Sequence, residues 1–143
     1  MRLKINHIIS ESFNELIQWR EHIHANPELS FKEFNTANFV ADKLESMNIS
    51  YTKGVAGTGI VAIIKGRNPI KKCIALRADL DALPIQEENK IPCKSTVDGV
   101  MHACGHDVHT TCLLGAAKVL NSLKSEFEGT IKLVFQPGEE KLP

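Results

Sequence analysis

Residues 101–109 read Met101-His102-Ala103-Cys104-Gly105-His106-Asp107-Val108-His109, crowding a thiol, imidazoles and a carboxyl into one short stretch. Thiolate sulfur and imidazole nitrogen are ligands for borderline divalent cations such as zinc. Cys104 and His106 are two positions apart, and in an extended segment such residues point the same way, so both can face one ion. Gly105 between them lets the backbone pass close to that ion. His102, Asp107 and His109 are candidates to orient ligands through hydrogen bonds. Each also has an ordinary structural reading, Asp107 as the cap of a helix beginning around His109.

A second acidic feature follows at Phe135-Gln136-Pro137-Gly138-Glu139-Glu140. Two adjacent glutamates can divide labour: Glu140 offers a hard oxygen ligand, and Glu139 takes a proton from an activated water and passes it to a leaving amine. Neighbouring residues on an extended chain point opposite ways, so Pro137-Gly138 must bend the backbone to bring both to one place. By themselves, such pairs are more simply surface decoration. Earlier, Arg77-Ala78-Asp79-Leu80-Asp81 places Asp81 where a carboxylate could stand behind a ligating imidazole, its histidine expected outside these residues. Asp79 could instead pair with Arg77. There is no GxSxG elbow, GxGxxG turn or Walker loop.

The elements that must position these groups are legible as periodicity. Apolar residues Ile5, Ile8, Ile9, Phe13, Leu16, Ile17 and Ile23 recur at helical spacing from Ile5 to His24, stopping near Asn26-Pro27. A second helix is expected over Phe31–Met47, with Asn48 as its stop. Ile23, Phe34 and Phe39 read as packing residues. Ile60–Ile64 and Cys73–Leu76 are β-branched or apolar runs, read as buried strands of a hairpin, with Gly57-Thr58-Gly59 easing entry. Gln86–Val100 is polar and too long for a tight connection. A helix over His109–Leu123 and a strand over Thr130–Phe135 complete the pattern. Cys73 and Cys112 read as small buried hydrophobes. The order indicates an α/β layer protein with a mixed sheet, its last two strands parallel across a helical crossover.

Composition narrows the partners. Hydrophobic residues make up 43% and charged residues 24%, as in a globular domain. Lys plus Arg and Asp plus Glu each number 17, leaving no charge excess to draw nucleic acid or an anionic membrane. No run is long enough to span a bilayer, and the N-terminus lacks the apolar core of a signal peptide. A cytoplasmic, thiol-reduced setting is therefore expected, and the four cysteines, forming no CxxC pair, support neither a zinc-finger nor a thioredoxin reading.

Taken together, the motifs resemble the M20 metallopeptidase family, in particular its amidohydrolase branch of N-acyl-L-amino-acid amidohydrolases, hippurate hydrolases and auxin-conjugate hydrolases. The resemblance runs through Trp19-Arg20-Glu21-His22-Ile23-His24-Ala25-Asn26-Pro27-Glu28-Leu29-Ser30, Gly57-Thr58-Gly59-Ile60, Arg77–Pro84, Met101–Thr110 and Phe135–Glu140. It implies a three-layer, mixed-sheet, zinc-peptidase-like catalytic domain, of which residues 1–143 are the N-terminal part, incomplete on the C-terminal side. A smaller lid or dimerisation domain and two further ligand histidines are expected outside this stretch.

By the same resemblance, Cys104, His106 and Glu140 match metal ligands, Glu139 matches the general base and acid, and Asp81 matches an aspartate supporting a ligand histidine. Asp79 falls where relatives outside this branch carry a ligand histidine and is left out of the set. Gly138 stands where many relatives have alanine; both are small, so the geometry is expected to be insensitive to the change. The implied cofactors are two divalent ions, zinc or manganese first, cobalt or nickel next. The implied substrate is a small N-acyl amino acid or conjugate, cleaved at its amide bond by a homo-oligomer. The competing reading is a noncatalytic metal-binding or interaction fragment; a cysteine hydrolase built on Cys104 ranks below it.

Overall fold

Helix boundaries in this chain have local causes. A computed structural model describes residues 1–141, forming α1 (Arg2–Ala25), α2 (Phe34–Ser46), β1 (Ser50–Val55), β2 (Gly59–Lys65), β3 (Cys73–Asp79), α3 (His106–Ser122) and β4 (Thr130–Gln136). α1 ends at Ala25 with Asn26 as its C-cap, immediately before Pro27, as expected. α2 starts later than Phe31, because Phe31 adopts a left-handed φ of 63°. Its first turn is satisfied by Glu28, whose carboxyl accepts the N–H groups of Asn35 (3.1 Å) and Thr36 (2.8 Å). Asn48, at φ 54°, follows α2 in the left-handed conformation expected of a stop. α3 begins at His106 rather than near His109, because Gly105 at φ 90° turns the chain directly into the helix.

The sheet order is β1-β2-β4-β3. β1 and β2 are antiparallel, as are β2 and β4, whereas β3 and β4 are parallel across the α3 crossover. The mixed sheet agrees with expectation; the proposed hairpin does not. β2 and β3 are separated by β4, and the hairpin partner of β2 is β1. β1 escaped sequence reading because it is a largely exposed edge strand, SYTKGV, with little hydrophobic alternation.

One sheet face carries the core. Ile60, Ala62 and Ile64 of β2, Leu133 and Phe135 of β4, and Ala78 of β3 pack with Val40, Leu44, Leu113, Leu114 and Ala117, while Trp19 joins from α1. α2 and α3 touch each other as well as the sheet, and α1 packs on α3. The opposite face, with Val61, Ile63, Arg77 and Lys132, carries no helix among the described residues, so two of the three expected layers are present. Several expected core positions are instead exposed: Ile9, Phe13 and Ile17 on α1, and Phe34 on α2. Cys73 and Cys112 are exposed too, one on an edge strand and the other on a helix face turned from the core, and all four cysteines are free. No described helix is long and apolar enough to cross a membrane.

Candidate metal centre

Parallel pairing puts the C-terminal ends of β3 and β4 side by side, with Asp79 opposite Gln136. The register continues one residue further, where the Leu80 N–H donates to the Gln136 carbonyl at 2.9 Å. The chain leaving β3, the loop entering α3 and the turn leaving β4 therefore meet at one sheet end, where open α/β sheets usually bind ligands. There Cys104, His106 and Glu140 each present a donor atom, all within 4.8 Å of one another.

His106 is aimed by the β3 exit. Its Nδ1 lies 2.9 Å from the Asp81 carbonyl oxygen and 3.4 Å from Asp81 Oδ1. A proton on Nδ1, donated to that carbonyl, leaves Nε2 with a free lone pair. Nε2 faces both glutamates, 3.7 Å from Glu139 Oε2 and 3.7 Å from Glu140 Oε1. Among the described residues, the histidine beside Asp81 is therefore His106. Asp81 also binds the β4 exit, its Oδ2 accepting the Ser30 hydroxyl at 2.7 Å and the Glu140 N–H at 2.9 Å. Burial works to raise the Asp81 pKa, but the Ser30 hydroxyl and nearby backbone N–H groups outweigh it and hold the carboxyl below its ordinary value.

The bend needed to bring Glu139 and Glu140 together occurs at Gly138, with φ 66°. Its N–H donates to Glu33 Oε1 at 2.8 Å. A Cβ here would lie 2.4 Å from the Phe31 ring, so glycine and alanine are not equivalent in this chain. The left-handed φ adds a separate strain for alanine.

The electrostatics favour a cation. Asp81 Oδ1 and Glu140 Oε1 are buried and have no hydrogen-bond partner among the described residues. The Cys104 thiol is pushed up, first by the Glu140 carboxyl facing it, then by desolvation and by the negative field of Glu140, Glu139 and Asp79. Sulfur, imidazole and carboxylate form a donor set suited to zinc-like ions, and a divalent charge would satisfy the unmatched oxygen and favour the thiolate. A second set, Asp79, His106 and His109, also falls within 4.8 Å. It shares His106, and its Asp79 Oδ1 is already engaged by Arg77, at 2.8 Å from Nε and 2.7 Å from Nη2. The cysteine-containing set, with its unpaired buried oxygen, is the better cation site.

Other cluster residues have different surroundings from those expected. His102 is 4% exposed, and neither ring nitrogen has a hydrogen-bond partner among the described residues. Burial, opposed by the field of Asp107, lowers its pKa to about 4. Asp107 does not cap α3; its Oδ2 receives Arg20 Nε at 2.8 Å and faces His24 Nδ1 at 2.7 Å. His109 is exposed one turn into α3, its ring 5.4 Å from that of His106.

Sequence reasoning missed Ser30, Glu33, His24 and Glu87 as interior polar groups. Only His24 carried a usable signal, standing four residues after Arg20 on one helix face. Glu33 falls within the expected Phe31–Met47 helix and Glu87 within the polar Gln86–Val100 stretch, and neither carries a local sign of burial.

Residues 75–142 match the family model described as peptidase family M20/M25/M40. The chain is 46% identical over 143 residues to a putative amidohydrolase, YhaA, of Bacillus subtilis, covering 100% of this chain and 36% of that protein. It is 44% identical over 140 residues to an N-acyl-L-amino acid amidohydrolase of Geobacillus stearothermophilus, covering 98% of this chain and 38% of the relative. Among solved structures it resembles the Bacillus subtilis YXEP protein, described as a dinuclear metal binding peptidase from the M20 family. That likeness has TM-score 0.85 and 46% identity, covering 89% of this chain and 35% of the other. The chain thus spans little more than a third of these relatives. A mixed sheet with potential metal ligands gathered at one end, a match of residues 75–142 to the M20/M25/M40 model and sequence likeness along the whole chain make this chain similar to the M20 peptidase family.

Proposed function

We propose that the protein containing these residues hydrolyses the amide bond of small N-acyl amino acids or related conjugates, using divalent metal ions. The observation that carries this reading is the buried Glu140 Oε1, without a hydrogen-bond partner among the described residues, in the same donor cluster as Cys104 and His106. Support for the substrate class comes from the relatives named as amidohydrolases. Residues 1–143 are read as the N-terminal part of the catalytic domain, with the remaining ligands and a smaller lid or dimerisation domain supplied from elsewhere in the protein. Two zinc or manganese ions, a homo-oligomer and a cytoplasmic, thiol-reduced setting complete the proposal.

Cys104, His106 and Glu140 would hold metal. When bound, it would supply Lewis acidity, polarising the acyl carbonyl and making water a stronger acid. Glu139, with a side chain 40% exposed beside buried His106, would exchange protons with bound reactants. It accepts a proton as water oxygen bonds to the acyl carbon, then donates it to nitrogen as the C–N bond breaks. A carboxylate and a free amino acid result. Asp81 holds the Glu140 backbone and the His106 ring in place rather than touching substrate.

The test uses the full-length protein with N-benzoylglycine. Glu139→Gln should keep its bound zinc, measured by atomic absorption, while kcat falls by about 100-fold or more. Wild-type turnover in that variant would reject the role of Glu139. Tight metal binding with no amide hydrolysis by the intact wild-type protein would reject the enzymatic reading in favour of a noncatalytic metal-binding protein.

A further inference from the structure

We infer that Glu33 is a positioning residue for the Glu139–Glu140 turn, holding its backbone in the shape that lets both carboxyl groups reach one centre. The inference rests on reading Glu140 as a metal ligand. The turn is tied at alternate N–H groups: Gly138 donates to Glu33 Oε1 at 2.8 Å, and Glu140 donates to Asp81 Oδ2 at 2.9 Å. Glu33 and Asp81 are 0% and 1% exposed and come from different parts of the chain. Fixing both N–H groups limits rotation of the intervening Glu139 peptide units, the freedom that would otherwise separate the two side chains.

Glu33 is itself constrained. Its Oε1 also accepts the Phe31 N–H at 2.9 Å, and its Oε2 accepts the Thr58 hydroxyl at 2.5 Å. The N-terminal approach to α2, the β1–β2 hairpin and the exit of β4 therefore converge on one carboxyl group. Phe31 and Gly138 share the same oxygen, and the Phe31 ring occupies the space a side chain at residue 138 would need. Among the described residues no salt bridge joins Glu33 to a basic side chain. Burying an acidic side chain is costly unless its polar atoms are used, and here every hydrogen bond it receives organises the chain around the turn.

Cobalt loading of the full-length protein separates this role from general folding. Cys104 bound to Co(II) should produce a thiolate-to-metal absorption band, with d–d bands reporting the coordination geometry. In Glu33→Leu the Gly138 anchor is lost, so the d–d bands should shift and kcat for N-benzoylglycine should fall about 10-fold or more with KM nearly unchanged. Glu33→Gln should rescue both readouts, because its amide oxygen can replace Oε1 while its NH2 group donates to Thr58.

A shorter acid supplies the second comparison should the leucine variant not fold. Glu33→Asp keeps a carboxyl but reaches less far, and should be more perturbed than Glu33→Gln. Wild-type spectra and kcat in folded Glu33→Leu, or greater damage from glutamine than aspartate, would overturn the positioning role alone. Absence of the thiolate band in wild-type protein would overturn the metal reading and this inference with it.

Discussion

Two buried polar networks flank the start of α3, and they differ in what they leave unpaired. In one, Asp107 lies between Arg20 and His24, while Glu87 meets His24 Nε2 at 3.2 Å, the Ser95 N–H at 2.6 Å and the Asn89 amide at 3.1 Å. Acidic groups there face an arginine, an imidazole and backbone donors. In the other, Asp81, Glu139 and Glu140 surround His106, and buried oxygens of Asp81 and Glu140 lack hydrogen-bond partners among the described residues. The first finds its donors among the described residues and ties α1 to α3 and to the long loop. A cation would match the oxygens that the second leaves open. A buried acidic cluster is therefore informative less by its residue types than by which of its acceptors remain unmatched.

The largest expected effect breaks the matched network. Arg20→Met leaves Asp107 without its guanidinium and should cost about 3–5 kcal/mol in urea unfolding of the metal-free protein. A loss below about 1 kcal/mol would show that His24 alone suffices. The second effect concerns the unmatched network: zinc at one hundred times its Kd should stabilise wild-type protein by about 2.7 kcal/mol. Glu140→Gln should abolish most of that gain while changing metal-free stability less than Arg20→Met; equal zinc stabilisation of both proteins would remove Glu140 from the centre.

Gly138→Ala is expected to destabilise by about 1–2 kcal/mol through its left-handed backbone, with an added conflict at the Phe31 ring. Phe31→Ala in the same protein should relieve only the ring conflict, as judged by thermal unfolding, and full recovery would assign the whole effect to packing. The smallest effect is acid dependence in the matched network. Burial raises the Glu87 pKa, but the Ser95 N–H, the Asn89 amide and His24 outweigh it and leave a net lowering. Its ionised form therefore contributes stability above the ordinary glutamate pKa, lost as pH falls through the depressed folded-state value. Glu87→Gln should flatten that part of a stability-versus-pH curve; an unchanged slope would place the acid sensitivity elsewhere.

Residue type and spacing made much of the centre legible. Cys104-Gly105-His106 and Glu139-Glu140 combine uncommon chemistry with positions just outside regular elements. Helical and strand periodicity likewise exposed α2, α3, β2 and β4, since those elements bury apolar faces. β1 was hidden because an edge strand can remain polar. Phe13 and Ile17 were misleading because apolar periodicity identifies a face without saying what covers it. Glu33 was hidden for the opposite reason: its burial depends on donors at residues 58 and 138, distant in sequence.

The amino-acid sequence alone determined an α/β chain with a mixed sheet, a cysteine–histidine segment and a paired-glutamate turn, because periodicity, glycine placement and ligand chemistry are local properties. Tertiary structure decided that β4 lies between β2 and β3, that Asp81 faces His106, and that Glu33 reaches the Gly138 N–H. Those relations depend on strand register and long-range hydrogen bonding, which bring together residues whose local sequences carry no record of one another.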